Sequence, residues 1–284
     1  LTDVMEIALL DQSGRQLKTT EAGEELYRSV RKIFDSLSDL DMRIASLKGL
    51  RRGRLRLAVI TTAKYFTPEI LGGFCRQFPG VDVALKVTNR DSILERIQNN
   101  EDDLYILGQP PEKNLNLKSY PFAPNPLVVM AARNHPLTKE SNISIERLAV
   151  EPFISREVGS GIRDTSMRLF SEHGLVPNVR MELGSNEAIK HAVVAGLGVA
   201  VLSLHTLALE GADGPVDVLD VEGFPIERKW YLAHSNDKEL SLIASTFLEF
   251  ALASEPVINE RMKSLYAQFA KRHDAVRGKN KRKK

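Results

Sequence analysis

The stretch SNEAIKHAVVAGLGVAVL, Ser185 to Leu202, decides the fold class. Ser185 and Asn186 are good helix caps, and a helix over Asn186–Ala195 follows them. After Gly196-Leu197-Gly198 comes a short apolar run, Val199–Leu202, that reads as a buried strand. The same alternation continues in both directions. Upstream, strands are predicted at Leu55–Ile60, Val81–Val87, Leu104–Leu107, Leu127–Ala132, Phe153-Ile154 and Val179–Leu183. Helices are predicted at Pro68–Phe78 with Thr67 as cap, Ser92–Gln98, Ile145–Leu148 and Ile162–His173. Downstream come a short helix at Leu204–Leu209, strands at Val216–Val221 and Lys229–His234, and a helix at Leu240–Leu252. Strands alternating with helices predict an α/β protein with mainly parallel sheets.

The first fifty residues have another texture. Two short apolar pieces flank Asp11-Gln12-Ser13-Gly14-Arg15 and read as a hairpin. Thr20 caps the next helix, whose apolar residues Ala22, Leu26, Val30, Ile33, Leu37, Leu40, Ile44 and Leu47 keep close to a heptad spacing. A single helix cannot bury that seam on itself, so pairing with a second copy of the chain is expected. Gly49-Leu50-Arg51-Arg52-Gly53-Arg54 closes it as a basic hinge.

Charge is segregated. Residues 257–284 hold ten Lys or Arg against two acids, whereas 57–256 hold 18 against 26. Basic ends on an acidic body fit contact with a polyanion at the ends only. Pro256–His273 has an amphipathic pattern (Ile258, Met262, Leu265, Phe269), and the residues from Arg277 on read as an unstructured basic tail. The single cysteine, Cys75, excludes an internal disulfide and reads as buried filler. No apolar run reaches membrane-spanning length and no leader pattern is present, which predicts a cytoplasmic protein. The six histidines show no metal-ligand spacing, and neither a Gly-x-Ser-x-Gly elbow nor a phosphate-binding Gly-x-x-x-x-Gly-Lys loop occurs, so no catalytic residue, metal or cofactor is expected.

Three segments place small or hydroxyl residues at the entrance of a helix: Thr61-Thr62-Ala63-Lys64, Gly159-Ser160-Gly161-Ile162-Arg163, and Ser185-Asn186. Free backbone N–H groups and the positive helix end suit an anion there. Thr61, Thr62 and Lys64, with Asn89 and Arg90 at a strand end, are candidates from one half of the molecule. Ser160, Gly161, Arg163, Ser185 and Asn186 are candidates from the other. Ordinary capping is the competing reading, strongest at Ser185 and Asn186.

Leu17-Lys18-Thr19-Thr20-Glu21-Ala22-Gly23-Glu24, the long helix after it, the strand Arg54–Ile60 and Val194–Leu202 resemble the LysR-type transcriptional regulators. The resemblance covers Leu1 to about Ala253. Ile60–Phe66, Asn89-Arg90, Asn99–Tyr105, Ser185–Lys190 and Leu219–Pro225 are similar to the carbon-fixation branch, which controls RuBisCO operons and inorganic-carbon uptake genes in autotrophic bacteria and plastids. It implies a plastid-stroma location if the chain is plastid-encoded. It further implies a two-lobed effector domain like a periplasmic binding protein, a homodimer or homotetramer on promoter DNA, and contact with RNA polymerase. The effector expected is an anionic metabolite such as ribulose 1,5-bisphosphate, 2-phosphoglycolate, 2-oxoglutarate or NADPH. The implied layout is a winged helix-turn-helix remnant at 1–19, a dimerisation helix and hinge at 20–53, lobe I at 54–126 and 228–253, lobe II at 127–227, and a basic tail at 254–284. Arg15 and Lys18 on the wing are the DNA-contact candidates. The chain departs from the family in starting where the recognition helix ends, so it is read as N-terminally truncated and unable to read base edges by itself. The alternative function is a small-anion solute-binding protein of the same lobed fold.

Overall fold

The computed structural model describes residues 5–13, 16–47, 52–111, 115–237 and 239–281. β1 (Leu10–Ser13) and β2 (Gln16–Thr19) form an antiparallel hairpin that leads into α1 (Glu21–Leu47). Thr20 makes the junction: its hydroxyl donates to the Ala8 carbonyl (2.6 Å) and accepts from the Gly23 amide (3.0 Å). Gly23 is fixed by contact, because a Cβ there would lie 2.0 Å from the Leu9 carbonyl oxygen. α1 spans roughly 40 Å. Val30, Ile33, Leu37, Leu40 and Ile44 on it are all exposed. Arg15 and the hinge residues up to Arg51 lie outside the described residues, while Arg52 and Arg54 belong to the strand that follows.

The first sheet has the order β4-β3-β5-β12-β6 and combines β3 (Arg52–Ile60), β4 (Gly80–Thr88), β5 (Leu104–Leu107), β6 (Leu117–Pro124) and β12 (Lys229–Ser235). Helices α2 (Thr67–Gln77) and α7 (Leu242–Ala253) pack through Phe74 and Phe247 on one face, and α3 (Arg90–Gln98) packs through Ile93 on the other. Both faces are covered, which is why β5 and the last four residues of β3, 57–60, read as continuous apolar runs. Thr67 is the first residue of α2 and not its cap; its hydroxyl donates to the Ala63 carbonyl, and Phe66 holds the cap position.

The second lobe centres on β7 (Leu127–Ala132), flanked by β10 (Ala200–Ser203) and β11 (Val216–Val218). β8 (Phe153–Arg156) and β9 (Val179–Leu183) form a parallel pair tied to it by a Phe153–Val199 bridge. Its helices are α4 (Ile145–Ala149), α5 (Gly161–Glu172) and α6 (Asn186–Val194).

The fold is α/β, but the expectation of mainly parallel sheets is corrected. Among the strand pairs of the described residues, only β3–β4, β3–β5 and β8–β9 are parallel; β12 runs antiparallel to β5 and β6, and β10 and β11 run antiparallel to β7. The chain leaves the first lobe along β6 and re-enters along β12, so these strands are not joined by a crossover helix. The sequence reading passed over β6 because Pro121 and Pro124 interrupt it. At the sheet edge, a proline's missing N–H costs less of the ladder.

α8 (Glu255–Lys281) replaces the predicted tail: it continues helical past Arg277 to Lys281. Ile258, Met262, Leu265 and Phe269 are buried along one side of it. Among the described residues no helix is long and apolar enough to cross a membrane.

Candidate functional site

Two crossings connect the lobes, at Asn125-Pro126 and at Glu227-Arg228, and they run side by side. The Asn125 amide donates to the Arg228 carbonyl (2.7 Å), and Leu127 and Ile226 exchange amide bonds of 3.0 and 2.9 Å. This ribbon is the floor of a cavity between the lobes. Thr61 and Thr62 enter it from the end of β3, Asn89 and Arg90 from the end of β4, and Gly108 from the end of β5. Arg156 enters from the end of β8, with Ser160 and Gly161 at the start of α5. Strand carboxyl ends and a helix amino end therefore converge, as in ligand sites of open α/β sheets.

Of the ten effector candidates, Thr61, Thr62, Asn89, Arg90, Ser160 and Gly161 line this cavity. Some of their polar atoms are already engaged: Thr61 Oγ1 donates to the Thr88 carbonyl (3.1 Å), and Asn89 Oδ1 caps α3 by accepting from the Ser92 amide (3.0 Å). Ser160 is buried and its side chain does not cap α5. Asn186 stands one residue behind the lining: it donates to Thr62 Oγ1 (3.3 Å) and accepts from Arg156 Nη1 (2.6 Å), joining the lobes. Lys64, Arg163 and Ser185 are not part of the lining. The short helical turn Thr61–Tyr65 carries the Lys64 ammonium over the Tyr65 ring, 5.1 Å from its centre. Arg163 Nη1 donates to Ser155 Oγ, the Arg156 carbonyl and Glu182, and Ser185 Oγ caps α6 through the Ala188 amide (3.4 Å). Lys18 is exposed on β2. Asp102 and Asp103, at the opposite end of β5, pair with Arg96 and Arg56.

Arg156 and Arg228, which are not among the sequence candidates, join Arg90 in setting the electrostatics. No carboxylate lines the cavity, whereas Arg90, Arg156 and Arg228 do. Arg156 is offset by a two-pronged pair with Glu157 (2.6 and 2.8 Å). Arg228 is different. Nη1 donates to the Gly161 carbonyl (3.1 Å) and Thr165 Oγ1 (3.2 Å), and Nη2 to the Gly108 carbonyl (2.5 Å) and Gln109 Oε1 (3.2 Å). All four acceptors are neutral. Burial, with Arg90 and Arg168 nearby, pushes its guanidinium down to about 10. A desolvated cation among neutral acceptors favours an incoming anion. Asn125 adds an acceptor, for its Oδ1 is buried without a hydrogen-bond partner. Two signals for these residues existed: Gly108 follows β5 as Thr61 follows β3, and Asn125 sits between Pro124 and Pro126.

The lobes also meet outside the cavity. The Tyr65 hydroxyl donates to Glu187 Oε1 (2.5 Å), and burial first, then this carboxylate, raises the Tyr65 pKa. His205 is buried at the junction, its ring centre 5.1 Å from Phe66 and 5.7 Å from Trp230. Its Nε2 lies 2.9 Å from the Pro124 carbonyl and 3.1 Å from the indole nitrogen of Trp230. Burial pushes His205 down to about 4. The folded chain thus refuses a proton that the unfolded chain takes up below its ordinary value near ~6.5. Stability is full above that value and falls as pH drops toward 4, by roughly 3 kcal/mol in all. Melting temperature against pH checks this: His205→Asn should flatten the slope between those two pH values, and an unaltered slope would contradict it.

A two-lobed α/β domain with a cationic cleft at its hinge has the architecture of a small-molecule-binding domain. The model of the LysR substrate binding domain matches residues 48–255. The HTH-type transcriptional activator CmpR of Synechocystis is 50% identical over 259 residues, covering 91% of this chain and 85% of that protein. The RuBisCO operon transcriptional regulator of Acidithiobacillus ferrooxidans is 47% identical, covering 87% and 79%. Among solved structures, the CcmR regulatory domain of Synechocystis in complex with 2-PG is 54% identical with a TM-score of 0.69, covering 71% of this chain and 97% of that one. Full-length OxyR from Pseudomonas aeruginosa, at 20% identity, shares the fold (TM-score 0.68) over 89% of this chain and 81% of its own. The chain belongs to the LysR-type transcriptional regulators, in their carbon-fixation branch.

Proposed function

We propose that this chain regulates carbon-fixation or inorganic-carbon uptake genes and that its inter-lobe cavity binds a small phosphorylated or carboxylated acid. The half-buried Arg228, held by neutral acceptors at the cavity floor, carries the reading. 2-Phosphoglycolate is the first choice, because the CcmR regulatory domain, 54% identical, is known with 2-PG. Its phosphate and carboxylate suit the Arg228 guanidinium and the amino end of α5. The site consists of Thr61, Thr62, Asn89, Arg90, Arg156, Ser160, Gly161 and Arg228, with Asn186 bracing Thr62 and Arg156. The exposed apolar row on α1 is where two copies pair. The assembly holds promoter DNA and meets RNA polymerase, with Lys18 among the phosphate contacts. The protein is proposed to act in the cytoplasm and to regulate rather than to catalyse.

Titration calorimetry with 2-phosphoglycolate, ribulose 1,5-bisphosphate, 2-oxoglutarate and NADPH tests the effector assignment. Saturable heat with at least one is expected, and silence with all four would overturn it. Sedimentation as a monomer would overturn the pairing.

A further inference from the structure

α8 links the two lobes a third time. It follows α7 of the first lobe after one residue, Ser254, so its amino end is covalently tied there. Ile258 is buried in the core of that lobe, with Phe74, Phe122 and Trp230 in the same cluster. One to three turns further on, Met262, Leu265 and Phe269 are buried in the core of the second lobe, with Leu137, Leu204 and Leu207. Arg261 stands at the change-over. Its Nη1 pairs with Glu69 of α2 in the first lobe, and its Nη2 reaches the Ala208 carbonyl of the second (3.4 Å). Beyond it Arg272 donates to the Ala212 carbonyl (2.6 Å) and lies 3.5 Å from the buried Asp217 carboxylate.

The cavity at the hinge is small, with about 30 Å³ of free interior. That admits a water or two, while a metabolite needs a site of several hundred Å³. Ligand entry therefore requires the lobes to part. The hinge ribbon can bend, but α8 cannot stay seated on both lobes while they rotate apart. On the first lobe it is held by the joint at Ser254, by packing along β6 with Ile258 buried, and by one half-exposed ion pair. On the second it is held by three buried apolar side chains and Arg272, so the half-exposed ion pair is the contact most easily released. A groove of about 640 Å³ between the hinge strands and the first turn of α8, bordered by Glu255 and Asn259, leaves that turn room to shift.

We propose that α8 is a strap that holds the cleft shut, and that Glu69–Arg261 is its releasable clasp. The strap sets how often the cleft opens, whatever the effector is. Hydrogen–deuterium exchange on the full chain tests this without ligand. In Arg261→Glu, cleft peptides covering 60–66 and 158–163 should exchange roughly threefold faster, the size of one half-exposed ion pair. Peptides within β3 and β7 should keep their rates. The charge-swapped Glu69→Arg, Arg261→Glu double variant should restore slow exchange in the cleft. Unchanged cleft rates in Arg261→Glu would overturn the strap. So would equal acceleration in β3 and β7, since that is general loss of stability, or failure of the swap to slow the cleft.

Discussion

Replacing Arg228 by glutamine is expected to weaken binding of 2-phosphoglycolate about a hundredfold while leaving the melting temperature unchanged or higher. The two halves of this result have one cause. The guanidinium is largely withdrawn from water in a half-buried residue, and its four partners are carbonyls, a hydroxyl and an amide oxygen. In the unliganded protein no carboxylate pairs with it directly, and the field of Asp164 only partly offsets its desolvation and the nearby Arg90 and Arg168, which is the sense of its lowered pKa. Glutamine can still donate to the Gly108 or Gly161 carbonyl and sheds the desolvation cost. With an anion bound, the same charge becomes an asset: hydrogen bonds to charged groups contribute about 1.5–3 kcal/mol, and the upper end corresponds to a hundredfold in affinity. Calorimetry and thermal unfolding on one preparation separate the terms. A dissociation constant within threefold of the parent's would remove Arg228 from the site. A fall of several degrees in melting temperature would mean that it is chiefly a structural tie.

How far the sequence led depends on the range of the interaction. Thr61, Thr62, Asn89, Arg90, Ser160 and Gly161 were found from the local chemistry of strand ends and helix starts, and they line one cavity. Lys64 and Arg163 were chosen by proximity along the chain, and proximity fails within a helical turn. Lys64 is carried onto Tyr65, and Arg163 is drawn to Glu182 on β9. Arg228 and Asn125 escape for the opposite reason. They meet at the cavity only because two segments 103 positions apart form one ribbon; the prolines beside Asn125 mark a break in the chain, but no local pattern marks that pairing. The sheet order failed likewise: periodicity distinguishes strand from helix, but strand direction follows from the path between lobes.

The C-terminal segment is where charge and hydrophobicity gave opposite readings, and a single substitution decides between them. Phe269→Ala is expected to cost about 3–5 kcal/mol in denaturant unfolding. The ring is 1% exposed and sits in the core of the second lobe, although it comes from a stretch that net charge alone marks as a polar tail. Ile258, Met262, Leu265 and Phe269 recur at intervals of four, three and four, which puts them on one face of a helix. Burying that face outweighs mutual repulsion of basic side chains such as the exposed Lys263 and Lys271, because exposed charges are screened within ~8 Å at physiological salt. A loss below about 1 kcal/mol, the range of surface substitutions, would show α8 to be dispensable packing and would take the strap with it. A loss in the predicted range, confined to exchange in β7 and β10 while β3 and β5 stay protected, would locate the firm end of α8 on the second lobe. The clasp at Glu69–Arg261 would then be the contact that gives first.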